Sequence, residues 1–197
     1  MSARYIHRDT RGGLTAAGFG GVAMTDKNYS VLFVCSGNSA RSVMAEALLN
    51  ELGKPQFLAH SAGTDPHGEI HPHAVAVLSS AGLDASNLRP KSWNDFASAD
   101  APKLDFVITV CDAAAGETCP TWPGEPLLAH WGIPDPATAT GSDAEIAVAF
   151  DQAFGMLRRR IELLLALPVH SLDRLVMHAH IQDIGRSEGA AEMAKAG

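Results

Sequence analysis

The chain has 197 residues, a mass of 20.7 kDa and a formal net charge of −7 at neutral pH. Its 46% hydrophobic and 19% charged residues can form a packed core, which excludes a disordered chain, and the acidic balance argues against a nucleic-acid partner. Three cysteines are too few for a secreted disulfide framework, and no apolar run approaches the roughly 20 residues of a membrane span, so we expect a cytoplasmic protein without a membrane partner.

The first regular elements begin after a glycine-containing N-terminal segment. Residues 1–28 carry no sustained hydrophobic period and are predicted to be an irregular extension. A β-branched and aromatic run predicts a strand over residues 30–34. A turn over 35–40 leads into a helix over 41–52, which is apolar on one face and is followed by Gly53.

Strand and helix signals then alternate along the middle of the chain. A second strand is predicted over 56–60, and a helix with proline in its first turn over 72–81. The third strand, over 104–110, is apolar almost throughout, as expected for a strand covered on both faces of a parallel sheet. Several glycines and prolines in residues 112–126 predict a loop, and a short fourth strand follows over 127–130.

The last third of the chain is predicted to be helical. The sequence of residues 142–145 fits a capping box and opens a long helix that Pro168 ends. Arg158, Arg159 and Arg160 on this helix are predicted to form a solvated face. A further amphipathic helix is predicted over 171–184, with frayed residues after it.

The alternation of strands and helices predicts an α/β fold, a three-layer sandwich around a four-stranded parallel sheet. We expect the folded domain to span residues 29–168 and a C-terminal helical extension to span 169–197. Ligands of such sheets bind beyond the carboxyl ends of the strands. Cys35 ends the first predicted strand and Cys111 follows the third, so both are candidates for the site.

The segment that joins the first strand to the first helix is predicted to bind an oxyanion. Its small residues allow successive backbone N–H groups to point inward, and the helix adds the positive end of its dipole. Arg41 offers a planar guanidinium for two oxygens of a tetrahedral anion. The predicted oxyanion-binding residues are Ser36, Gly37, Asn38, Ser39, Ala40, Arg41 and Ser42.

Cys35 is the candidate nucleophile of this loop. The positive field of the loop is expected to lower the pKa of its thiol and to favour the thiolate, with Ser42 donating a hydrogen bond to the sulfur. The alternative is an inert buried cysteine on a strand–helix turn. Gly37 and Asn38 favour the functional interpretation, because these residue types tolerate the left-handed backbone that such a loop requires.

At this point the sequence resembles the low-molecular-weight tyrosine phosphatase superfamily, and more closely its arsenate reductase branch. The resemblance covers roughly residues 30–167 and implies a small parallel sheet with the anion loop after its first strand. It is carried by residues 34–42 (VCSGNSARS), 60–64 (HSAGT), 110–112 (VCD), 119–120 (CP) and 130–136 (HWGIPDP).

The resemblance implies a thiol relay that reduces arsenate to arsenite. Cys35 attacks arsenate, and Asp135 protonates the departing hydroxyl as general acid. Cys111 then attacks the Cys35 sulfur, and Cys119 attacks Cys111, which leaves a disulfide for an external thiol reductant. From the residues alone, Asp135 could equally be a turn aspartate, Cys111 a small core residue and Cys119 a bystander.

Two departures from the family pattern bear on cofactors. The Cys111–Cys119 spacing is one residue longer than in thioredoxin-coupled relatives, so thioredoxin and glutathione with glutaredoxin both remain candidate reductants. Some relatives bind potassium near the loop, and Asn38 fits that pattern together with Glu46 and Ser61. Lys91 stands where a carboxylate would complete the site, and its ammonium could replace the charge of the metal, so we expect no potassium ion; the alternative is that Lys91 is a solvated side chain. We also expect no other metal and no bound cofactor.

Two other functions compete with arsenate reduction. The first is a low-molecular-weight protein tyrosine phosphatase, but Ala137, Thr138 and Ala139 follow Asp135 where that branch has tyrosines, and a phosphatase needs no second thiol. The second is an oxyanion sensor without catalysis, against which Asp135 argues. Phosphate and sulfate are expected to compete with arsenate for the loop.

Overall fold

A computed structural model describes residues 27–187 of the chain. The irregular extension predicted over 1–28 therefore lies almost wholly outside the described residues, as do the frayed residues predicted at the C-terminus. The proposed division at residue 168 stays a prediction. In the part of the chain that is described, no helix is both long and apolar enough to cross a membrane.

The four predicted strands form a single parallel sheet, which confirms the predicted α/β fold. Their order in the sheet is β2-β1-β3-β4. The strands are β1 (Tyr29–Cys35), β2 (Phe57–Gly63), β3 (Phe106–Thr109) and β4 (Leu127–His130). β2 runs past its predicted end because it stays paired with β1 as far as the partners Cys35 and Gly63.

Between residues 27 and 187, five α-helices surround the sheet, and four of them were predicted. They are α1 (Arg41–Leu52), α2 (Pro72–Ser80), α3 (Asp112–Gly116), α4 (Asp143–Leu165) and α5 (Arg174–Arg186). The loop predicted over 112–126 is wrong at its start, where α3 forms. The Sγ of Cys111 accepts a hydrogen bond from the Ala114 N–H at 3.4 Å and so caps this short helix. The predicted capping box opens α4.

The core lies on both faces of the sheet. Four successive residues of β1, Val31–Val34, are completely buried. Because neighbouring side chains of a strand point to opposite faces, their burial requires a covering layer on each side. This burial confirms the predicted sandwich and explains why the third strand, which is also buried, is apolar apart from Thr109.

Helix α5 supports the chain that leaves β4. The indole N–H of Trp131, which is completely buried, donates to the Ile181 carbonyl at 2.8 Å. Gly185 lies directly against the His130 carbonyl, where any Cβ would overlap it. The segment from His130 to Asp135 is therefore held against a packed helix.

Candidate active site

The site lies at the carboxyl edge of the sheet, where β1 and β3 end side by side. Cys35 is the last residue of β1, and Cys111 follows β3 by two positions. The Oγ of Ser36, the residue after Cys35, lies 3.5 Å from the Sγ of Cys111. The two cysteines that the sequence places at strand ends therefore meet at one loop.

The loop between β1 and α1 is held from outside by the segment that follows β2. Backbone N–H groups of that segment donate to carbonyls of the loop. The pairs are Thr64 to Cys35 at 3.1 Å, Asp65 to Ser36 at 3.0 Å, His67 to Gly37 at 2.8 Å and His71 to Ser39 at 2.9 Å. Because these carbonyls are satisfied outside the loop, its N–H groups are left for the interior, as an anion-binding nest requires.

Three small or polar residues make this arrangement possible. Asn38 has a φ of 46°, in the left-handed region that the sequence analysis expects for it. Gly37 serves a different purpose, because a Cβ there would lie 2.8 Å from the His67 ring. At Gly63, a Cβ would overlap the Ser36 carbonyl. At Gly37 and Gly63, neighbouring atoms therefore lie too close to leave room for a Cβ.

Cys35 is buried, with 3% of its surface exposed, and its sulfur takes part in two hydrogen bonds. The Asn38 N–H donates to its Sγ at 3.3 Å, and the Ser42 Oγ lies 2.9 Å from it. The Asn38 side-chain amide donates to the same Ser42 oxygen at 2.8 Å. Ser42 therefore has its own proton available to donate to the Cys35 sulfur.

The expected lowering of the Cys35 pKa is wrong for this conformation. Burial raises the pKa of the thiol above its ordinary value, and this effect exceeds the opposing influence of the Ser42 hydrogen bonds, Arg41 and the Asn38 N–H. The sequence shows the polar groups that stabilise a thiolate but not the depth at which the sulfur lies.

The Ser42→Ala variant is expected to react more slowly at Cys35. Loss of the hydroxyl removes a donor that stabilises the thiolate, so the pKa of Cys35 rises further. Because the thiolate is the reactive form, the pH profile of alkylation should move to higher pH, with severalfold slower labelling at neutral pH. Iodoacetamide labelling of the Cys35 peptide measures this by mass spectrometry.

Ser39→Ala is the matched control for that measurement. The Ser39 hydroxyl makes no side-chain hydrogen bond within residues 27–187. Its removal should therefore not change the pH profile of Cys35 alkylation. An unshifted profile in Ser42→Ala would show that the hydroxyl does not stabilise the thiolate.

A polar chain extends behind the loop to Lys91. The Asn38 amide donates to the Ser61 hydroxyl at 2.9 Å, and Ser61 donates to the Glu46 carboxylate. The Lys91 ammonium lies 3.0 Å from the same Glu46 oxygen, and its backbone N–H donates to the Asn38 side chain at 2.7 Å. Lys91 thus supplies a positive charge beside Glu46.

The predicted absence of a metal remains a prediction. Across the described residues 27–187, no group of three or more His, Cys, Asp or Glu side chains is arranged to hold a metal ion. The Lys91 ammonium lies beside Glu46, 3.0 Å from one oxygen of its carboxylate.

Arg41 and Asp135 are brought together from α1 and from the chain after β4. An Arg41 Nη2–H donates to the Asp135 Oδ2 at 2.6 Å, and its Nη1 donates to the Ile133 carbonyl at 3.0 Å. Arg41 is 8% exposed, and its Nε has no partner among the described residues. Asp135 also caps the short 3-10 helix Pro136–Thr138 through the Ala137 N–H. The predicted acid and the predicted anion-binding cation therefore share one crevice.

The short helix α3, which separates Cys111 from Cys119, is tied at both ends. The Asp112 carboxylate lies 2.9 Å from the His130 ring, and the Thr64 hydroxyl donates to Glu117 at 2.8 Å. Cys111 is buried and Cys119 is exposed, and both are free thiols. Partial burial and the Glu117 carboxylate raise the pKa of Cys119.

The segment after Cys119 is anchored by Trp122. Its ring is buried and packs edge-on against Trp93, with 6.1 Å between the ring centroids. Cys119 therefore lies in a short exposed stretch between α3 and a fixed aromatic side chain. Within residues 27–187, Cys119 makes no hydrogen bond to Cys111.

Sequence reasoning did not identify three polar residues that shape this crevice. His67 covers Gly37, and Glu117 and His130 tie down α3. His130 lies inside the quoted motif at residues 130–136, so position alone could have suggested it. No sequence signal pointed to His67 or to Glu117.

Comparison with known proteins agrees with this geometry. Residues 30–176 match the family model described as low molecular weight phosphotyrosine protein phosphatase. An arsenate reductase of Bacillus subtilis is 33% identical over 137 residues, which is 69% of this chain and 94% of that protein. One of Shouchella clausii is 34% identical over 133 residues, covering 67% and 91% of the two chains.

Solved structures give the same result at the level of the fold. A structure described as an arsenate reductase in the phosphate binding state is 30% identical, with a TM-score of 0.57 over 70% of this chain and 97% of that chain. An arsenate reductase from Archaeoglobus fulgidus is 28% identical, with a TM-score of 0.56 over 70% and 99% of the two chains.

Proposed function

Since this chain belongs to the low molecular weight phosphotyrosine protein phosphatase family, and its arsenate reductase relatives match it over two thirds of its length, we propose that it reduces arsenate to arsenite. The main support for the proposal is that Cys35 and Cys111 lie at the same loop. The buried Cys111 sulfur lies 3.5 Å from the hydroxyl of the residue that follows Cys35.

In the first step, the N–H groups of residues 36–42 and the Arg41 guanidinium hold the arsenate. Arg41 must turn from Asp135 toward the anion. This movement frees the Asp135 carboxyl group to donate a proton. The Cys35 thiolate attacks the arsenic(V), a sulfur–arsenic bond forms, and one hydroxyl leaves as water after Asp135 gives it a proton.

The second step transfers two electrons to the arsenic. The Cys111 thiolate attacks the Cys35 sulfur, the sulfur–arsenic bond breaks, and its electron pair stays with the arsenic, which leaves as arsenite. A Cys35–Cys111 disulfide remains. Cys111 is the candidate for this attack because its sulfur already touches the loop, whereas Cys119 is exposed.

The third step restores Cys35. The Cys119 thiolate attacks Cys111, which releases the Cys35 thiolate and forms a Cys111–Cys119 disulfide. The five-residue helix α3 lies between the two cysteines in the chain, and we expect this segment to rearrange as the disulfide forms. An external thiol then reduces the new disulfide, and thioredoxin and glutathione with glutaredoxin are both candidates for that role.

Arsenate-dependent oxidation of NADPH tests the proposal. One assay couples the protein to thioredoxin and thioredoxin reductase, and the other to glutathione, glutaredoxin and glutathione reductase. We expect arsenate-dependent turnover with one of the two systems, and the system that works identifies the reductant. A control with inorganic phosphate in place of arsenate should oxidise no NADPH, because phosphorus(V) is not reduced by thiols.

Failure of both systems, together with hydrolysis of aryl phosphates that survives replacement of Cys111 and Cys119 by serine, would favour the phosphatase interpretation. Arsenate binding without any turnover would favour a sensor.

A further inference from the structure

Two side-chain hydrogen bonds connect the α3 segment to the outer strands of the four-stranded sheet. In the first tie, at the start of α3, the Asp112 Oδ1 lies 2.9 Å from the Nε2 of His130, the last residue of β4. In the second tie, just past the end of α3, the Glu117 Oε1 accepts a hydrogen bond of 2.8 Å from the hydroxyl of Thr64, the residue after β2. Because β2 and β4 flank β1 and β3, α3 spans the carboxyl ends of these two inner strands, and it contacts both of them.

The residues on the sheet side of both ties are themselves held in place. The Thr64 backbone N–H donates to the Cys35 carbonyl at 3.1 Å. The second ring nitrogen of His130, Nδ1, lies 2.8 Å from the Thr109 hydroxyl on β3. Each tie therefore connects α3 to a residue that is bound to the sheet or to the anion loop, rather than to another surface side chain.

Helix α3 depends on such contacts because it is short. It has five residues, far fewer than the roughly 12 to 15 that an isolated helix needs to be even marginally stable in water. In the tied conformation the two cysteines beside α3 are separate thiols in different surroundings. The buried Cys111 sulfur faces the Ser36 hydroxyl and the Ala114 N–H, whereas Cys119 is exposed.

We propose that the four residues of the two ties are positioning residues of the thiol relay, and that the ties hold α3 in the conformation that keeps Cys111 and Cys119 apart. The inference rests on the proposed function, because it concerns the timing of the third step. A foreign disulfide that reacts with the exposed Cys119 forms a mixed disulfide, and attack by the Cys111 thiolate on the Cys119 sulfur then closes the Cys111–Cys119 bond and releases the foreign thiol. The ties slow this premature closure, which would consume the thiol that has to attack Cys35.

Reaction with dithiodipyridine, a chromogenic disulfide, tests the ties in the Cys35→Ser variant. The chain has three cysteines, so only Cys111 and Cys119 can react there. The exposed Cys119 releases the first thiopyridone, and attack by Cys111 releases the second in a step whose rate is independent of the reagent concentration. The rate of this second step measures how often the two sulfurs meet. Arsenate takes no part, so the result does not depend on whether the protein reduces arsenate.

Substitutions at the second tie should change that rate in a specific pattern. Thr64→Val removes the hydroxyl and should raise the rate of the second step about twofold to tenfold, the usual effect of one hydrogen bond on the opening of a segment. Thr64→Ser keeps a hydroxyl and should restore the slow rate. Glu117→Ala removes the same tie from its exposed end and should also be faster, whereas Glu117→Gln keeps an acceptor oxygen and should be slow. Thr121→Val is the matched control, because the exposed Thr121 hydroxyl makes no hydrogen bond within residues 27–187.

The first tie is tested in the same way. Asp112→Ala removes it and should raise the rate of the second step by a similar factor, and the double variant with Thr64→Val should be faster than either single variant. The proposal is overturned if Thr64→Val and Glu117→Ala join the sulfurs no faster than the Cys35→Ser parent, if Thr121→Val is as fast as they are, or if the second step depends on the reagent concentration. Should Thr64→Val fail to fold, Glu117→Ala decides the question, because it changes an exposed side chain.

Discussion

Replacement of Cys111 by serine is expected to lower arsenate turnover by about three orders of magnitude or more, to the background level. The serine hydroxyl cannot attack the Cys35 sulfur to form a disulfide, so the arsenic(V) adduct has no route to accept two electrons. Binding of the anion should persist, because the hydrogen bond from Cys111 to the loop within residues 27–187 is to the Ser36 hydroxyl, and a serine oxygen can replace the sulfur there. Arsenate-dependent NADPH oxidation and calorimetric titration with phosphate measure the two properties separately.

The protein should remain folded in this variant. The Cys111 sulfur accepts the Ala114 N–H at the start of α3, and a serine oxygen is a strong acceptor at that N-cap position. A loss of turnover can therefore be assigned to chemistry, provided that thermal unfolding of the variant matches that of the unmodified protein.

Cys119→Ser is the matched control, since it also exchanges one sulfur for oxygen. Without Cys119 the chain can still form the Cys35–Cys111 disulfide, so it should release one arsenite per molecule and then stop. Cys111→Ser should release none. Quantification of arsenite after a single mixing, without external reductant, separates the two variants. Repeated turnover by Cys111→Ser would rule out the relay.

The sequence predicted the location of the site better than its electrostatics. Cys35 and Cys111 could be placed at one sheet edge because strands of a parallel sheet present their carboxyl ends together. Of Gly37 and Asn38, the two residues expected to tolerate a left-handed backbone, Asn38 adopts it and Gly37 does not. Both predictions rest on local sequence or on the topology of the sheet.

Properties that depend on burial were not predictable in the same way. The pKa of Cys35 rises because the sulfur is enclosed, and Arg160 is buried although it follows two exposed arginines. Helix α3 was missed because five residues give too short a pattern, and its cap is a cysteine sulfur from the preceding strand end. The first two features depend on packing between elements that are distant in the sequence, whereas the signal for α3 is local but too short to recognise.

Asp135→Asn is expected to reduce arsenate turnover by roughly 10²- to 10⁴-fold, the usual contribution of a positioned general acid. The amide cannot give a proton to the hydroxyl that leaves the arsenic when Cys35 attacks. The local backbone conformation should be unchanged, because the asparagine side-chain oxygen can still accept the hydrogen bond from the Ala137 N–H, which is 3.1 Å long with Asp135. Steady-state rates at saturating arsenate measure the effect.

Measurements of anion binding show whether Asp135 acts as a general acid or only positions Arg41. In the unmodified protein the Asp135 carboxylate lies 2.6 Å from the Arg41 guanidinium and competes with any anion for it. Asparagine removes this negative charge, so phosphate should bind at least as tightly to Asp135→Asn while turnover falls. Asp65→Asn, which neutralises an exposed carboxylate on the segment that flanks the loop, should change neither property by more than about twofold. If Asp135→Asn instead weakened phosphate binding and left the rate at saturating arsenate unchanged, Asp135 would serve to position Arg41, and the leaving hydroxyl would take its proton from another group.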